Sequence, residues 1–414
     1  MPSLTDRTIF HIDFDSFFAS CEQHFNPNLR GVPIGVTAAN GRTCIIAASR
    51  EAKKFGVKTG TRSWEAERLC PQIQLVKADF DRYLEVTKKF IQIASLYSPL
   101  VEVFSLDEVF IDITPVLHLH KSVDDIVAAF KKQIAEEISP TITVSVGVSY
   151  NKLLAKLASG MNKPDGFAAI TKENLDTVYK QTELTDICGI GERFKQRLNF
   201  LGITNLIALR RYPLSALKQE FGSIASQNLM SFAWGYDNSP VISYLEETDA
   251  KSVGRNYCLP ENEYDREKIL QILFELSEEI AIKLRRLKKS GRTVGLYLSG
   301  EGNYNQRKTA KSYTNSGQDI FGVCKALYDS WKDLLMVRQV GIYVSNLIDE
   351  NYVNMSLFDN PKKEVVVKTM DRINEHFGHH TIRKGYVLSA PQLDTKPNGF
   401  LADRYQRESL RKIA

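Results

Sequence analysis

Apolar residues in the first half of the chain recur with two periods. Runs rich in β-branched and aromatic residues at 8–15, 44–49, 100–104, 109–113 and 141–148 predict strands. Helical spacing occupies the stretches between them: from Ser16 onward, 50–60 with Gly56 as its stop, 63–70, 81–97, 123–138, and again from Asn151. Strand, helix, hairpin, helix, strand is the order of a split βαβ sheet, which sets the first strand beside the hairpin. From Thr185 the pattern changes to short helices joined by glycine turns, Gly189-Ile190-Gly191 and Leu201-Gly202, as in a helix-hairpin-helix. Residues 237–249 are polar and aperiodic and predict a linker. Beyond it, Leu273, Leu276, Ile280, Leu284 and Leu287 form one stripe of a long helix. Strands at 292–299, 308–314 and 339–345 and a helix at 321–335 then predict a second, smaller α/β domain.

The hairpin sets Asp107 and Glu108 side by side where it turns. Alone, the pair reads equally well as a polar turn. Asp13 changes that, because it ends an apolar strand and has no capping duty. Such an acid is either a buried group in need of partners or a ligand. Together the three carboxylates make a hard-cation site suited to Mg²⁺, and two ions in such a site can clamp a phosphoryl group in transfer. Asp15 is placed to cap the helix that follows. Arg50 and Lys53, three residues apart, share a helix face and either grip a triphosphate or are simply solvated.

At 414 residues the chain has room for two to four domains. Six scattered cysteines without a C-x-x-C pair exclude a zinc ribbon or disulfide framework and fit a reducing compartment. No signal-like start and no membrane-length apolar run is present, so a cytoplasmic location and no membrane partner are expected. Net charge is +5, yet residues 283–311 hold nine basic residues against Glu301 alone. That local excess predicts a basic face for a polyanion, most simply nucleic acid. Gly189 and Gly191 would add backbone N–H groups for a DNA phosphate. In the tail, Asn354-Met355-Ser356-Leu357-Phe358 either docks into a partner's groove or folds back on its own chain. The adjacent His379 and His380 read as solvated.

The ordered stretches 12–19, 51–57, 105–108, 152–166 and 251–254 together resemble the Y-family, translesion DNA polymerases, most closely their bacterial members. The resemblance implies an α/β (α+β), multidomain right-hand polymerase. Its parts would be a split βαβ palm (1–40 and 77–166), small fingers (41–76), a helical helix-hairpin-helix thumb (167–236), a linker (237–250) and an α/β little finger (251–348). A tail (349–414) would follow, with a clamp-binding motif at 354–358. It implies an error-prone enzyme that extends a primer 3′-hydroxyl with deoxynucleotides and has no proofreading. Primer-template DNA and dNTPs would be its substrates, two Mg²⁺ ions its cofactors (Mn²⁺ as a substitute), a sliding clamp its partner, and a monomer its state.

Carried over by position, Asp13, Asp107 and Glu108 are catalytic and bind the metals, with the Phe14 carbonyl as a backbone ligand. Phe18, beside Phe17, is the steric gate against a ribose 2′-hydroxyl. Lys163 meets the triphosphate, with Arg50 and Lys53 on the same substrate. DNA falls to Gly189, Gly191, Arg292, Arg307, Lys308 and Lys311, and the clamp to Asn354, Met355, Leu357 and Phe358. Ala47, Arg50 and Lys53 stand where the family usually has threonine, tyrosine and arginine, and Asn354 replaces a glutamine. The alternative from another class is a non-catalytic, clamp-tethered DNA-binding accessory protein of DNA repair.

Overall fold

The computed structural model describes residues 7–38, 43–246, 249–331, 336–353, 361–378, 381–388 and Leu393. The chain divides into two compact units, with the boundary at Glu247/Thr248. In the first, a five-stranded sheet runs in the order Val101–Val103, Glu108–Asp112, Ile9–Phe14, Val144–Ser149, Phe167–Ile170. Ile9–Phe14 is central because both of its faces are buried. Phe10, Ile12 and Phe14 enter a core covered by the helices Phe80–Tyr97 and Val123–Glu137. Ile9 and His11 face the helix Lys152–Met161 instead. That helix crosses so close that a Cβ on Gly147 would lie 2.1 Å from the Ala155 carbonyl oxygen. Only glycine permits the approach.

The predicted helix at 50–60 is a single turn, Arg50–Lys53, whose Ala52 N–H is capped by the Ser49 hydroxyl at 3.2 Å. Gly56 and Gly60, both at positive φ, turn the chain away before a second turn can form. This turn belongs to a small sheet of Ile45–Ala48, Ile34–Thr37 and Gln74–Lys77. Short helices from Leu175–Gln181 to Ser223–Trp234 enclose their own core around Leu184, Leu198, Leu206, Leu217 and Leu229. Residues 237–246, expected as a linker, lie along the sheet edge up to the unit boundary. Val241 is buried, the Tyr244 N–H donates to the Val101 carbonyl (2.8 Å), and the Ile242 N–H donates to Glu102 (2.9 Å).

The second unit is an antiparallel sheet in the order Asn303–Thr314, Lys289–Gly300, Val337–Asp349, Ser252–Glu263. The helices Arg266–Arg286 and Gly317–Asp329 pack on its apolar face. A further helix, Pro361–Phe377, and the segment 381–388 belong to the same unit and were not foreseen. Arg285 donates twice to Asp371 (2.6 and 2.8 Å), Lys384 reaches Glu278 (2.7 Å), and Val387 is buried against Phe274. The basic stretch 283–311 is therefore not one face. Its helix-end cations Arg285 and Arg286 meet Asp371 and Glu375, supplied by the C-terminal helix. Arg307, Lys308 and Lys311 remain exposed on the edge strand. The motif at 354–358, His379, His380 and the basic C-terminal end lie outside the described residues.

Candidate active site

Register builds the acidic centre. Asp13 pairs with Glu108 across two adjacent strands, and the Phe14 N–H donates to the Asp107 carbonyl at 2.9 Å. Phe14 itself stacks on Phe17 (4.9 Å) and packs on Phe90, so the backbone at this strand end is fixed by core aromatics. Asp107 lies in the turn, as expected, with its carboxylate accepting from the Ser105 hydroxyl. Glu108 is the first residue of the strand rather than the tip of the hairpin.

The electrostatics split the three acids. Burial raises the Asp13 carboxyl above its ordinary range, with Lys163 opposing and Asp107 adding. Burial likewise raises Asp107, against the Ser105 hydroxyl and with Glu108 adding. Burial also works on Glu108, but hydrogen bonds from His11 and Lys156 win and hold it at about 2. His11, fully buried and pushed down by that burial, bridges Glu108 (2.9 Å) and Ser159 (2.7 Å). Each of His11, Asp13 and Glu108 offers a ligand atom within 4.8 Å of the others. With both ring nitrogens engaged, His11 orients Glu108 rather than competing for a metal. Pattern reading passed over it, although His11 and Asp13 are two apart on one strand and so share a face. The three carboxylates present only oxygen donors, which fits a hard cation, and a cation would relieve the burial cost on Asp13 and Asp107.

Three cations converge on the same end of the sheet. Lys163 contacts Asp13. Lys53 donates to the Ser16 hydroxyl (2.7 Å), and Arg50 donates to Thr143. Burial, then the nearby Lys163 charge, lowers the Lys53 pKa. Cations gathered at this spacing favour an anion among them. Asp15 is not the helix cap that the sequence suggested. Ser16, at φ 52, occupies the cap position of Phe17–Phe25, and no side-chain cap bond forms there. The Asp15 carboxylate turns inward instead, to Thr143, Ser145 and the Asp165 N–H.

Phe18 is buried, stacked on Tyr83 (4.6 Å, 20° between rings) and edge-on to Phe80. The Tyr83 hydroxyl donates to Glu22 at 2.5 Å, which fixes the wall behind the Phe18 ring. Gly189, at φ 103, and Gly191, before the helix Glu192–Phe200, lie in the helical part of the first unit. In the second unit Thr293 and Thr309 are paired on the sheet face away from the helices, and Arg307 shares that face by alternation, while Lys311 lies where the register shifts. Arg292 lies over the Tyr313 ring at 5.3 Å.

Residues 12–160 match the impB/mucB/samB family and 250–357 its C-terminal domain. The chain is 34% identical to DNA polymerase IV of Staphylococcus aureus (strain Newman) over 86% of its own length and 99% of that protein's. It is 33% identical to DNA polymerase IV of Pelotomaculum thermopropionicum over 95% and 96%. A solved Y-family DNA polymerase chimera of Dbh and Dpo4 superposes with a TM-score of 0.71 at 25% identity, covering 83% of this chain and 99% of the other. These matches span the acidic centre and the second sheet alike and disfavour a non-catalytic accessory protein. The chain belongs to the impB/mucB/samB family and is a Y-family, translesion DNA polymerase.

Proposed function

We propose that the end of the first sheet is the catalytic centre, where a primer 3′-hydroxyl attacks the α-phosphate of a dNTP and pyrophosphate leaves. One observation carries this: carboxylates raised by burial stand beside three converging cations. Asp13, Asp107, Glu108 and the Phe14 carbonyl would hold two Mg²⁺ ions, with Mn²⁺ as a substitute. Such a pair would supply a lowered pKa for the primer hydroxyl and charge neutralisation on the phosphates. Arg50, Lys53 and Lys163 bind the triphosphate; Arg50, in place of the family's tyrosine, offers a bidentate grip. His11 and Lys156 keep Glu108 ionised and oriented. Phe18, beside Phe17, closes the sugar pocket against a 2′-hydroxyl.

By the same reading, residues 1–40 with 77–166 are the palm, 41–76 the fingers, 167–236 the thumb and 251–348 the little finger. Gly189 and Gly191 hold a DNA phosphate through backbone N–H groups. Arg292, Arg307, Lys308 and Lys311 follow the duplex backbone, and such contacts weaken steeply with salt. The segment at 354–358 binds a sliding clamp, and the enzyme works as a cytoplasmic monomer.

The test is primer extension with Mg²⁺ and all four dNTPs on an undamaged template, wild type beside Asp107→Ala. Distributive extension by the wild type and none by the variant is the expected result. Extension that survives in Asp107→Ala would move the centre elsewhere.

A further inference from the structure

Asp15 is left without a role by this reading, yet it is the most completely partnered acid at the site. Its carboxylate is buried (3% exposed). Oδ2 accepts from the Thr143 hydroxyl at 2.6 Å and from the Asp165 N–H at 2.7 Å, and Oδ1 accepts from the Ser145 hydroxyl at 2.8 Å. Arg50 Nη2 lies 3.7 Å from Oδ2 and donates to the same Thr143 hydroxyl. A relay thus runs from the Arg50 guanidinium through Thr143 to Asp15. The second branch ends on the loop that carries Lys163. Asp165 is at φ 54, and a Cβ on Gly166 would lie 1.8 Å from the Asn162 carbonyl oxygen, so this loop is a tight turn with little freedom. Anchoring the Asp165 N–H therefore fixes the base of Lys163, and Lys131 ties down the outer side at the Asp165 carbonyl (2.6 Å).

We propose that Asp15 is a positioning residue for the incoming triphosphate: one buried carboxylate aligns Arg50, through Thr143, and Lys163, through the Asp165 turn. The idea rests on the reading that these two cations face the triphosphate. Asp15 touches no reacting atom. Its charge offsets the repulsion among Arg50, Lys53 and Lys163, and its geometry holds two of them where a polyanion can bridge them.

Single-nucleotide incorporation by the full chain on primer-template tests it, with KM and kcat for dNTP measured separately and the melting temperature recorded. Asp15→Asn keeps the shape and one acceptor but loses the charge. It is expected to raise KM about tenfold while kcat changes little, as for loss of binding shared by ground and transition states. In Asp15→Asn/Arg50→Ala the effects fall short of additive, because the two residues act in series. Thr143→Val cuts the Arg50 branch alone and raises KM less; it keeps the test open should Asp15→Asn fold poorly. A KM that is unmoved in Asp15→Asn and Thr143→Val, with only the melting temperature lowered, overturns the proposal. Arg50→Ala and Lys163→Ala separate the two levels. If they raise KM and Asp15→Asn does not, this proposal alone fails; if they leave KM unchanged, the triphosphate reading falls and takes it down as well.

Discussion

The end of the first sheet and the helical face of the second unit both gather acids and bases, and they settle them differently. On the second unit four cations meet acids brought by another segment: Arg285 with Asp371, Arg286 with Glu375, Lys384 with Glu278, Arg383 with Glu275. These pairs close a C-terminal segment onto a helix. At the sheet end, like charges stay neighbours. Asp107 adds to the rise at Asp13, Glu108 adds to the rise at Asp107, and Lys53 feels Lys163. Whether charges are matched pairwise or left crowded distinguishes a structural contact from a binding site.

The comparison is tested hardest by removing one crowded acid. Asp13→Asn should lower primer extension about 10³-fold or more, since the lost ligand acts on the reaction itself. Its melting temperature should hold or rise slightly, because burial makes the ionised carboxyl costly. A variant whose lost activity merely follows lost folded protein would put Asp13 among the structural pairs. Next in size is Phe18→Leu, which keeps an apolar side chain but opens the wall on Tyr83. Ribonucleotide exclusion should weaken by about 10²-fold, the range a shaped pocket gives against one added hydroxyl. Paired ribo- and deoxynucleotide incorporation rates measure it, and unchanged discrimination would remove Phe18 from the sugar pocket.

On the matched side, Arg285→Ala leaves Asp371 facing a half-buried surface without its fork. A destabilisation of about 2–3 kcal/mol is expected, less than for a fully buried pair because Asp371 is partly solvated. The urea midpoint of the full chain reports it. A change below about 0.5 kcal/mol would show the C-terminal helix to be an unimportant cover on this unit.

The sequence carried most of the sheet and the acids, because strand periodicity and an acid at a strand end are local signals. Asp13 beside the hairpin followed from element order alone. The roles of Asp15 and Arg285 did not, since each depends on partners far along the chain: Thr143 and Asp165 for one, Asp371 for the other. Asp15 immediately before a helix looks like a cap, and only the positive φ of Ser16 moves it one place too early. Strand Ser252–Glu263 escaped notice because Arg255, Asn256 and Glu261 break its apolar alternation on an edge that needs little of it. Helix Pro361–Phe377 escaped because its docking is by charge more than by an apolar stripe.

The smallest effect comes from the place in the second unit that most resembles the first. Glu279 lies 3.1 Å from Arg255, yet burial pushes its carboxyl up to about 7, with Arg255 and Lys283 opposing and Glu275 adding. In the unfolded chain it titrates near an ordinary glutamate value, about 4.3. Below that pH both states hold the proton and the residue is neutral to stability. Between there and pH 7 the unfolded state ionises while the folded state stays protonated, so the folded state binds more protons and stability falls as pH rises. Above pH 7 the penalty levels off. Glu279→Gln removes it but leaves Arg255 with a neutral partner, so the net gain at pH 8 should be on the order of 1 kcal/mol, vanishing towards pH 4. Urea midpoints of both proteins across that range read it directly. If the wild type instead gains stability from pH 5 to 8 relative to Gln, Glu279 is an ordinary ionised partner of Arg255. Crowded charge would then be confined, among the described residues, to the end of the first sheet.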